Sequence, residues 1–294
     1  MPPKKNKEIK NKTIAGLLKE ACFLFKEHKF EAPEMEVEIL LSYVLKKERV
    51  FTIAHPEYLV SSALVAKFQA VIKQRLAGYS SAVIIGHKEF YGLKFLVNKD
   101  VLIPRPETEI LVDAIIERVK ETSNNLIIDI GTGSGAIIIS LFKNTSPENI
   151  FYASDKSAKA LIVAQRNAKI HQAKINFLAG DLLVPYLPVI KKIKPTNLII
   201  AANLPYLKPE EMIEPSIKKE PKKALLSGSD GLWHYKRLFA QIYKSKITNL
   251  YLICEINHVQ AKTIKESALK YFPKAKTSFK NDYTSRIRFF ILEI

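Results

Sequence analysis

Cysteine is scarce: the chain of 294 residues has two, Cys22 and Cys254. Neither stands in a C-x-x-C or Cys/His spacing, so no disulfide framework and no metal centre are expected. Such usage fits a reducing compartment, and the location expected is cytoplasmic. Long apolar runs are missing as well. None approaches the ~20 residues that a membrane helix needs, so no membrane partner is expected. Residues 1–12 are basic but hold no apolar segment of the signal-peptide kind. They read as a flexible tail, with an RNA-binding arm as the other reading. Acidic charge is in deficit, with 29 Asp and Glu against 46 Lys and Arg, a net +17. Either the surface favours polyanions such as RNA or the ribosome, or it is a solvated lysine-rich face.

What is present is ordinary globular composition, 47% hydrophobic and 26% charged, enough for a sizeable core. From Thr13 the apolar spacing is helical, through Ile14, Leu17, Leu18, Ala21, Cys22 and Phe25. Further helices are expected from Pro33, over Arg49 to Ala54, and over Ser62 to about Ala77. Four short amphipathic helices predict an N-terminal all-α bundle over 13–82. Val83-Ile84-Ile85 and the runs either side of Gly92 predict strands, and 83–99 reads as a hairpin linker. From there, 100–294 forms one domain in which strands and helices alternate. That alternation predicts an α/β, Rossmann-like, mostly parallel sheet, with an antiparallel closing strand from Arg288 to Ile294. No signal for oligomerisation is read, and a monomer is expected.

Polar residues at the carboxyl ends of buried strands carry the chemistry, because open α/β sheets bind ligands there. Asp129-Ile130-Gly131-Thr132-Gly133-Ser134-Gly135 is a strand-to-helix glycine turn. Asp155 closes the next strand about 20 residues on, where a ribose diol is held, and Asp181 closes the third. The turn is G-x-G-x-G rather than G-x-G-x-x-G. The set therefore looks like the S-adenosylmethionine (SAM) site of class I methyltransferases, with a dinucleotide site as the alternative.

Asn203-Leu204-Pro205-Tyr206 follows the apolar run Leu198 to Ala202. It reads either as a strand-ending turn or as a clamp. As a clamp, the Asn203 side-chain carbonyl and the Leu204 backbone carbonyl accept the two hydrogens of a planar –NH2, and Tyr206 walls the planar group. The tetrapeptide resembles the [D/N/S]-P-P-[Y/F] motif of amino-methyltransferases, with Leu204 where Pro is commoner. Leu204→Pro is accordingly expected to be neutral or mildly activating. Asn-Leu-Pro-Tyr is also the form found in ribosomal-RNA adenine dimethyltransferases.

Other segments resemble the release-factor glutamine methyltransferases (the HemK/PrmC family) nearly end to end. They are Glu36 to Leu45 with Ala54-His55-Pro56-Glu57, Gly86-His87-Lys88-Glu89-Phe90-Tyr91-Gly92, Leu102-Ile103-Pro104-Arg105-Pro106-Glu107-Thr108-Glu109, and Glu220-Pro221 to Gly231-Leu232. Ser285 departs from that pattern, standing where the family tends to have Gly.

The resemblance implies methyl transfer from SAM, leaving S-adenosylhomocysteine, to the glutamine amide of the Gly-Gly-Gln motif in class I peptide chain release factors. It implies that Gly131, Thr132, Gly133, Ser134 and Gly135 line the methionine part of SAM and Asp155 its ribose. Asp181 and Leu182 would lie by the adenine, and Asn203 would contact cofactor and substrate. Asn203, Leu204, Pro205 and Tyr206 would bind the substrate and serve catalysis, and the N-terminal bundle would dock the release factor. Arg105 is expected to anchor its loop by pairing with Glu107 or Glu109. Two alternatives stay open: an rRNA or DNA adenine N6-methyltransferase, and a binding module without activity.

Overall fold

A computed structural model describes residues 10–211 and 217–294. Of the expected tail 1–12, residues 1–9 lie outside the described residues. Lys12 does not belong to a tail: Lys12–Thr13 forms strand β1. The chain divides into two compact units, one ending at Gly86 and the other running from His87 to Ile294.

In the first unit, helix α1 spans Ile14–Glu27, with Thr13 accepting the Gly16 N–H at 3.2 Å as its cap. Helix α2 spans Pro33–Leu45 with Pro in its first turn. Helix α3 (Arg49–Ala54), strand β2 (Leu59–Val60, antiparallel to β1) and helix α4 (Ser62–Leu76) follow. Ile14, Leu17, Phe25, Val37, Leu40, Leu41, Val65 and Phe68 form their common core. The strand expected over 83–85 is instead helix α5, Ser81–Ile85. Ser80 caps it by accepting the Val83 N–H, and Gly86 ends it at φ 88°. A good cap and a glycine stop outweigh the β preference of three residues.

The second unit opens with an antiparallel hairpin, β3 (His87–Phe90) and β4 (Leu93–Leu96). Tyr91 and Gly92 turn it with φ of 51° and 68°, the handedness that matches strand twist. The alternating part is helix α6 (Glu109–Val119), β5 (Leu126–Ile130), α7 (Ala136–Asn144), β6 (Ile150–Asp155), α8 (Ala158–Ile170), β7 (Asn176–Ala179), α9 (Leu187–Ile193), β8 (Leu198–Ala202), α10 (Trp233–Lys244), β9 (Leu250–Glu255), α11 (Ala261–Tyr271), β10 (Lys276–Asn281) and β11 (Ile287–Glu293). The sheet order is β10-β11-β9-β8-β5-β6-β7, parallel from β9 to β7, with β11 and β10 antiparallel at one edge. This is the mostly parallel α/β sheet with an antiparallel closing edge that the alternating pattern predicts. Ser285 has φ 63° in the β10–β11 turn, the left-handed region that favours glycine, and Asp282 Oδ1 supports it by accepting the Thr284 and Arg286 N–H groups.

Side-chain alternation assigns each strand residue to a face. Leu126, Ile128, Leu198, Ile200, Leu250 and Leu252 pack with Tyr235, Leu238 and Phe239 of α10 and Ile264 of α11. Ile127, Ile199, Tyr251 and Ile253 pack with Leu111 and Ile115 of α6 and Ile138 of α7. The same alternation, carried one step past each ladder, decides what meets at the strand tips.

Candidate active site

Register builds the site. Ile130 pairs with Ser154 on one side and with Ala202 on the other, and Ala202 pairs with Cys254. The next residues, Asp155, Gly131, Asn203 and Glu255, therefore stand side by side along one edge of the sheet. Asp181 follows the tip of the outer strand β7. Asn203 and Glu255 share the parity of Ile199 and Ile253, so their side chains fall on the α6 face. The single 3-10 turn Pro106–Thr108 that leads into α6 brings Thr108 to the same point. Leu204 has the opposite parity and is buried in the other face's core.

In the glycine turn, Gly131, Gly133 and Gly135 all have positive φ, between 55° and 82°. Thr132 Oγ1 donates to Asp129 Oδ2 at 2.6 Å, while the second Asp129 oxygen is buried with no partner among the described residues. Burial pushes the Asp129 carboxyl up to about 7, against the Thr132 hydrogen bond and with the Asp155 charge adding to the rise. Asp155 draws the turn onto its strand tip: Oδ2 accepts the Gly133 N–H at 3.0 Å and Oδ1 the Ser157 N–H at 2.8 Å. A Cβ built on Gly133 would meet nothing within 4 Å. The turn is thus packed at Gly131 and Gly135 but open at Gly133, with a carboxylate beside it, a shape and charge that fit the methionine and ribose parts of SAM.

Asp181 pairs with Arg237, and Lys156 Nζ lies 3.7 Å from it. Burial raises its carboxyl, but these two cations hold it below the ordinary range. Leu182 is buried at φ 55°.

The Asn203 side chain is held firmly. Its Nδ2 donates to Glu255 Oε2 at 2.8 Å and to Thr108 Oγ1 at 3.2 Å, and Thr108 Oγ1 itself donates to Glu255 Oε2 at 2.6 Å. A carboxylate offers only acceptors, and the Thr108 proton is already given to it. The Asn203 nitrogen must therefore face this pair, which turns Oδ1 away from them.

Glu255 is fully buried. Its other oxygen accepts the Tyr206 hydroxyl at 3.2 Å and lies 3.2 Å from Arg288 Nη2, which also donates to the Tyr206 hydroxyl at 2.9 Å. Burial pushes the Glu255 carboxyl up, and Arg288, Thr108 and Tyr206 pull it back. Tyr235 is a second pin, because its hydroxyl bonds the Ala202 and Glu255 carbonyls and accepts the Leu204 N–H at 3.2 Å.

A cavity of about 320 Å³ is lined by Asn203, Leu204, Pro205, Tyr206, Glu255 and Arg288, among others. All four residues of the tetrapeptide are brought together there. Leu204 ties the cavity to the glycine turn, since a Cβ on Gly131 would stand 3.0 Å from Leu204 Cδ2. Past the tetrapeptide, Leu207 pairs with Leu225 and Ser227, which fixes the second signature segment in place. Gln260 Nε2 donates to the Tyr206 carbonyl at 2.9 Å. Gly231, at φ 71°, leaves no room for a side chain between those two groups.

One expected contact is corrected. Arg105 pairs with neither Glu107 nor Glu109. Its Nη2 donates to Glu220 Oε1 at 2.6 Å, and Glu220 Oε2 accepts the Ile103 N–H at 3.2 Å. Glu109 instead accepts the Tyr91 N–H at 2.8 Å. The 3-10 turn points Glu109 back toward the hairpin and leaves Arg105 beside a buried carboxylate 115 positions away. Arg105 is thus a loop anchor, joining one signature segment to the other.

Sequence alone does not single out Glu255, Thr108, Tyr235 or Arg288 as site residues. Glu255 had a usable signal: it ends the apolar run Leu250 to Cys254 just as Asp129, Asp155 and Asn203 stand at strand ends. Thr108 and Arg288 reach the site through the fold alone.

Comparison with known proteins gives the family and the fold. The family described as PrmC N-terminal domain matches residues 16–86, and the one described as methyltransferase small domain matches 106–200. A release factor glutamine methyltransferase of Bacillus subtilis (strain 168) is 35% identical over 284 residues, covering 94% of this chain and 96% of the relative. One of Coxiella burnetii is 36% identical over 235 residues, covering 80% and 82%. One of Bacillus anthracis is 32% identical over 263 residues, covering 87% and 91%. Among solved structures, the N-terminal domain of human METTL16 in complex with SAH has a TM-score of 0.53 at 15% identity, covering 86% of this chain and 93% of that one. The METTL16 catalytic domain with an RNA hairpin has a TM-score of 0.54 at 16% identity, covering 76% and 81%. At such identity these two show the fold alone.

Proposed function

This chain belongs to the release factor glutamine methyltransferases, and from that premise we infer its reaction. It is a SAM-dependent protein methyltransferase acting on the side-chain amide nitrogen of the Gly-Gly-Gln glutamine in class I peptide chain release factors. The observation that best supports this is the Asn203 amide, held by Glu255 and Thr108 with its carbonyl turned from them. The adenine alternative is not favoured, because the relatives aligned over as much as 94% of the chain are named for the release-factor glutamine.

When bound, SAM supplies an electrophilic methyl group on a sulfonium. In our reading Gly131, Thr132, Gly133, Ser134 and Gly135 hold its methionine part, Asp155 its ribose, and Asp181 and Leu182 its adenine. The chain's remaining task is to make a poor nucleophile reactive. An amide nitrogen shares its lone pair with the carbonyl, so it is planar and weakly nucleophilic. Asn203 Oδ1 and the Leu204 carbonyl accept its two hydrogens, which orients the nitrogen and stabilises positive charge as it turns tetrahedral. Tyr206 forms the wall, held by Glu255 and Arg288. No strong base precedes the transfer, because the nitrogen becomes acidic only as the new bond forms.

The same reading has the N-terminal unit dock the release factor, the protein act as a cytoplasmic monomer, and the basic surface lie near ribosome or RNA. No helix among the described residues is long and apolar enough to cross a membrane.

Incubation with methyl-labelled SAM and a recombinant release factor is expected to label the factor. A Gln→Ala change in its Gly-Gly-Gln loop should abolish the label. Label on RNA instead, or label that survives the change, would refute the reading. For the cofactor site, Asp155→Ala removes a charged acceptor and releases the Gly133 N–H. Losing a charge-assisted hydrogen bond costs about 1.5–3 kcal/mol, so SAM affinity in calorimetry should fall roughly 10- to 100-fold. Unchanged affinity would remove Asp155 from the site.

A further inference from the structure

We propose that Glu255 is a positioning residue for methyl transfer: it fixes the Asn203 amide in the orientation that presents a carbonyl, not an –NH2, to the substrate. The proposal rests on the glutamine-amide reading of the site. An asparagine amide has two faces of nearly equal shape and opposite hydrogen-bonding character. If it rotated by half a turn, its –NH2 would oppose the –NH2 of the substrate and the clamp would fail. Packing alone does not decide between the two orientations, so a polar partner must.

Glu255 divides its two oxygens between two duties. Oε1 faces Arg288 and the Tyr206 hydroxyl, whereas Oε2 takes the Asn203 nitrogen and the Thr108 hydroxyl. Thr108 strengthens the choice, because its proton goes to Oε2 and only its lone pairs remain for Asn203. The carboxylate is fully buried.

Glu255→Gln keeps the shape but leaves one oxygen and one –NH2. The oxygen goes to Arg288 and the Tyr206 hydroxyl, since both donate. The new –NH2 then faces the Asn203 nitrogen, donor against donor, and Asn203 escapes by rotating. The variant is expected to keep SAM affinity within a few-fold and to lose roughly 10²-fold in kcat, on the scale of a lost transition-state contact. In an Asn203→Ala background the same change should cost less than about 3-fold, because the residue it acts through is gone.

Rescue separates positioning from support. Asn203→Asp alone sets two carboxylates together and should be poorly active. Combined with Glu255→Gln, the new carboxylate at 203 accepts from the new amide and still offers an oxygen to the substrate. The double variant should recover at least about 10-fold in kcat over Glu255→Gln.

A readout without turnover is the Asn203 side-chain –NH2 pair in 15N spectra, identified by its loss in Asn203→Ala. It should be slow to exchange in the native protein and shifted and fast in Glu255→Gln. The spectra test the positioning even if the native protein fails to label a release factor, which would count against the reaction alone. The proposal is overturned if Glu255→Gln leaves both kcat and the –NH2 pair unchanged, if its loss adds in full to Asn203→Ala, or if the double variant recovers nothing.

Discussion

Asn203→Ala is expected to reduce methyl transfer by about 10²-fold or more while SAM affinity stays within a few-fold. The residue stands at the tip of β8 with its nitrogen spent on Glu255 and Thr108. In the proposed reaction its oxygen therefore serves the reacting amide more than the fold. That oxygen matters most when the substrate nitrogen carries positive charge, so its loss should appear in kcat rather than in KM. The SAM contacts assigned to the glycine turn and Asp155 are untouched, which is why binding should persist. The variant also leaves Glu255 short of one donor, yet Thr108, Tyr206 and Arg288 still surround it. Only a modest loss of melting temperature should follow. Single-turnover kinetics with a release factor, together with SAM calorimetry, measure both arms. Near-normal turnover would show that the substrate amide is held elsewhere.

The outline of the catalytic unit was legible because its signals are local. Apolar runs such as Leu126 to Ile130 and Leu198 to Ala202 end in polar residues, and a parallel sheet brings such ends to one edge. Asp155, the glycine turn and Asn203 were found in this way. What sequence could not supply was the second layer that holds them. Thr108 lies 147 positions from Glu255, and Arg105 lies 115 from Glu220. Only the folded chain brings such pairs together, and an arginine has no periodicity that names its partner. Val83 to Ile85 failed for another reason: a cap at Ser80 and a stop at Gly86 made a helix from residues that prefer strands. The two signature segments around Arg105 and Glu220 stand far apart in the chain, and the ion pair between them places both beside one site.

Leu204→Pro is expected to destabilise the protein and lower its activity, contrary to the neutral or activating outcome read from the tetrapeptide alone. Proline at this position would stiffen the backbone, and Leu204, preceding Pro205, is already restricted to extended conformations. Two contacts set the sign instead. The Leu204 N–H donates to the Tyr235 hydroxyl at 3.2 Å, and proline has no such proton. The Leu204 side chain is buried in the core on the α10 face, with Cδ2 against Gly131, and a proline ring does not reach as far. The lost hydrogen bond costs about 1 kcal/mol, and the partly emptied core site costs about 1–3 kcal/mol more. Together these should lower the melting temperature of the second unit by roughly 5–12 °C. Activity should fall too, since Leu204 lines the cavity and its side chain reaches the glycine turn at Gly131. Tyr235→Phe offers the internal control. With the hydroxyl gone, the N–H has no partner to lose, so the further cost of Leu204→Pro should shrink to its packing part. If Leu204→Pro is neutral in both backgrounds, the Gly131 contact and the Tyr235 bond contribute nothing, and Leu204 is interchangeable with the commoner proline.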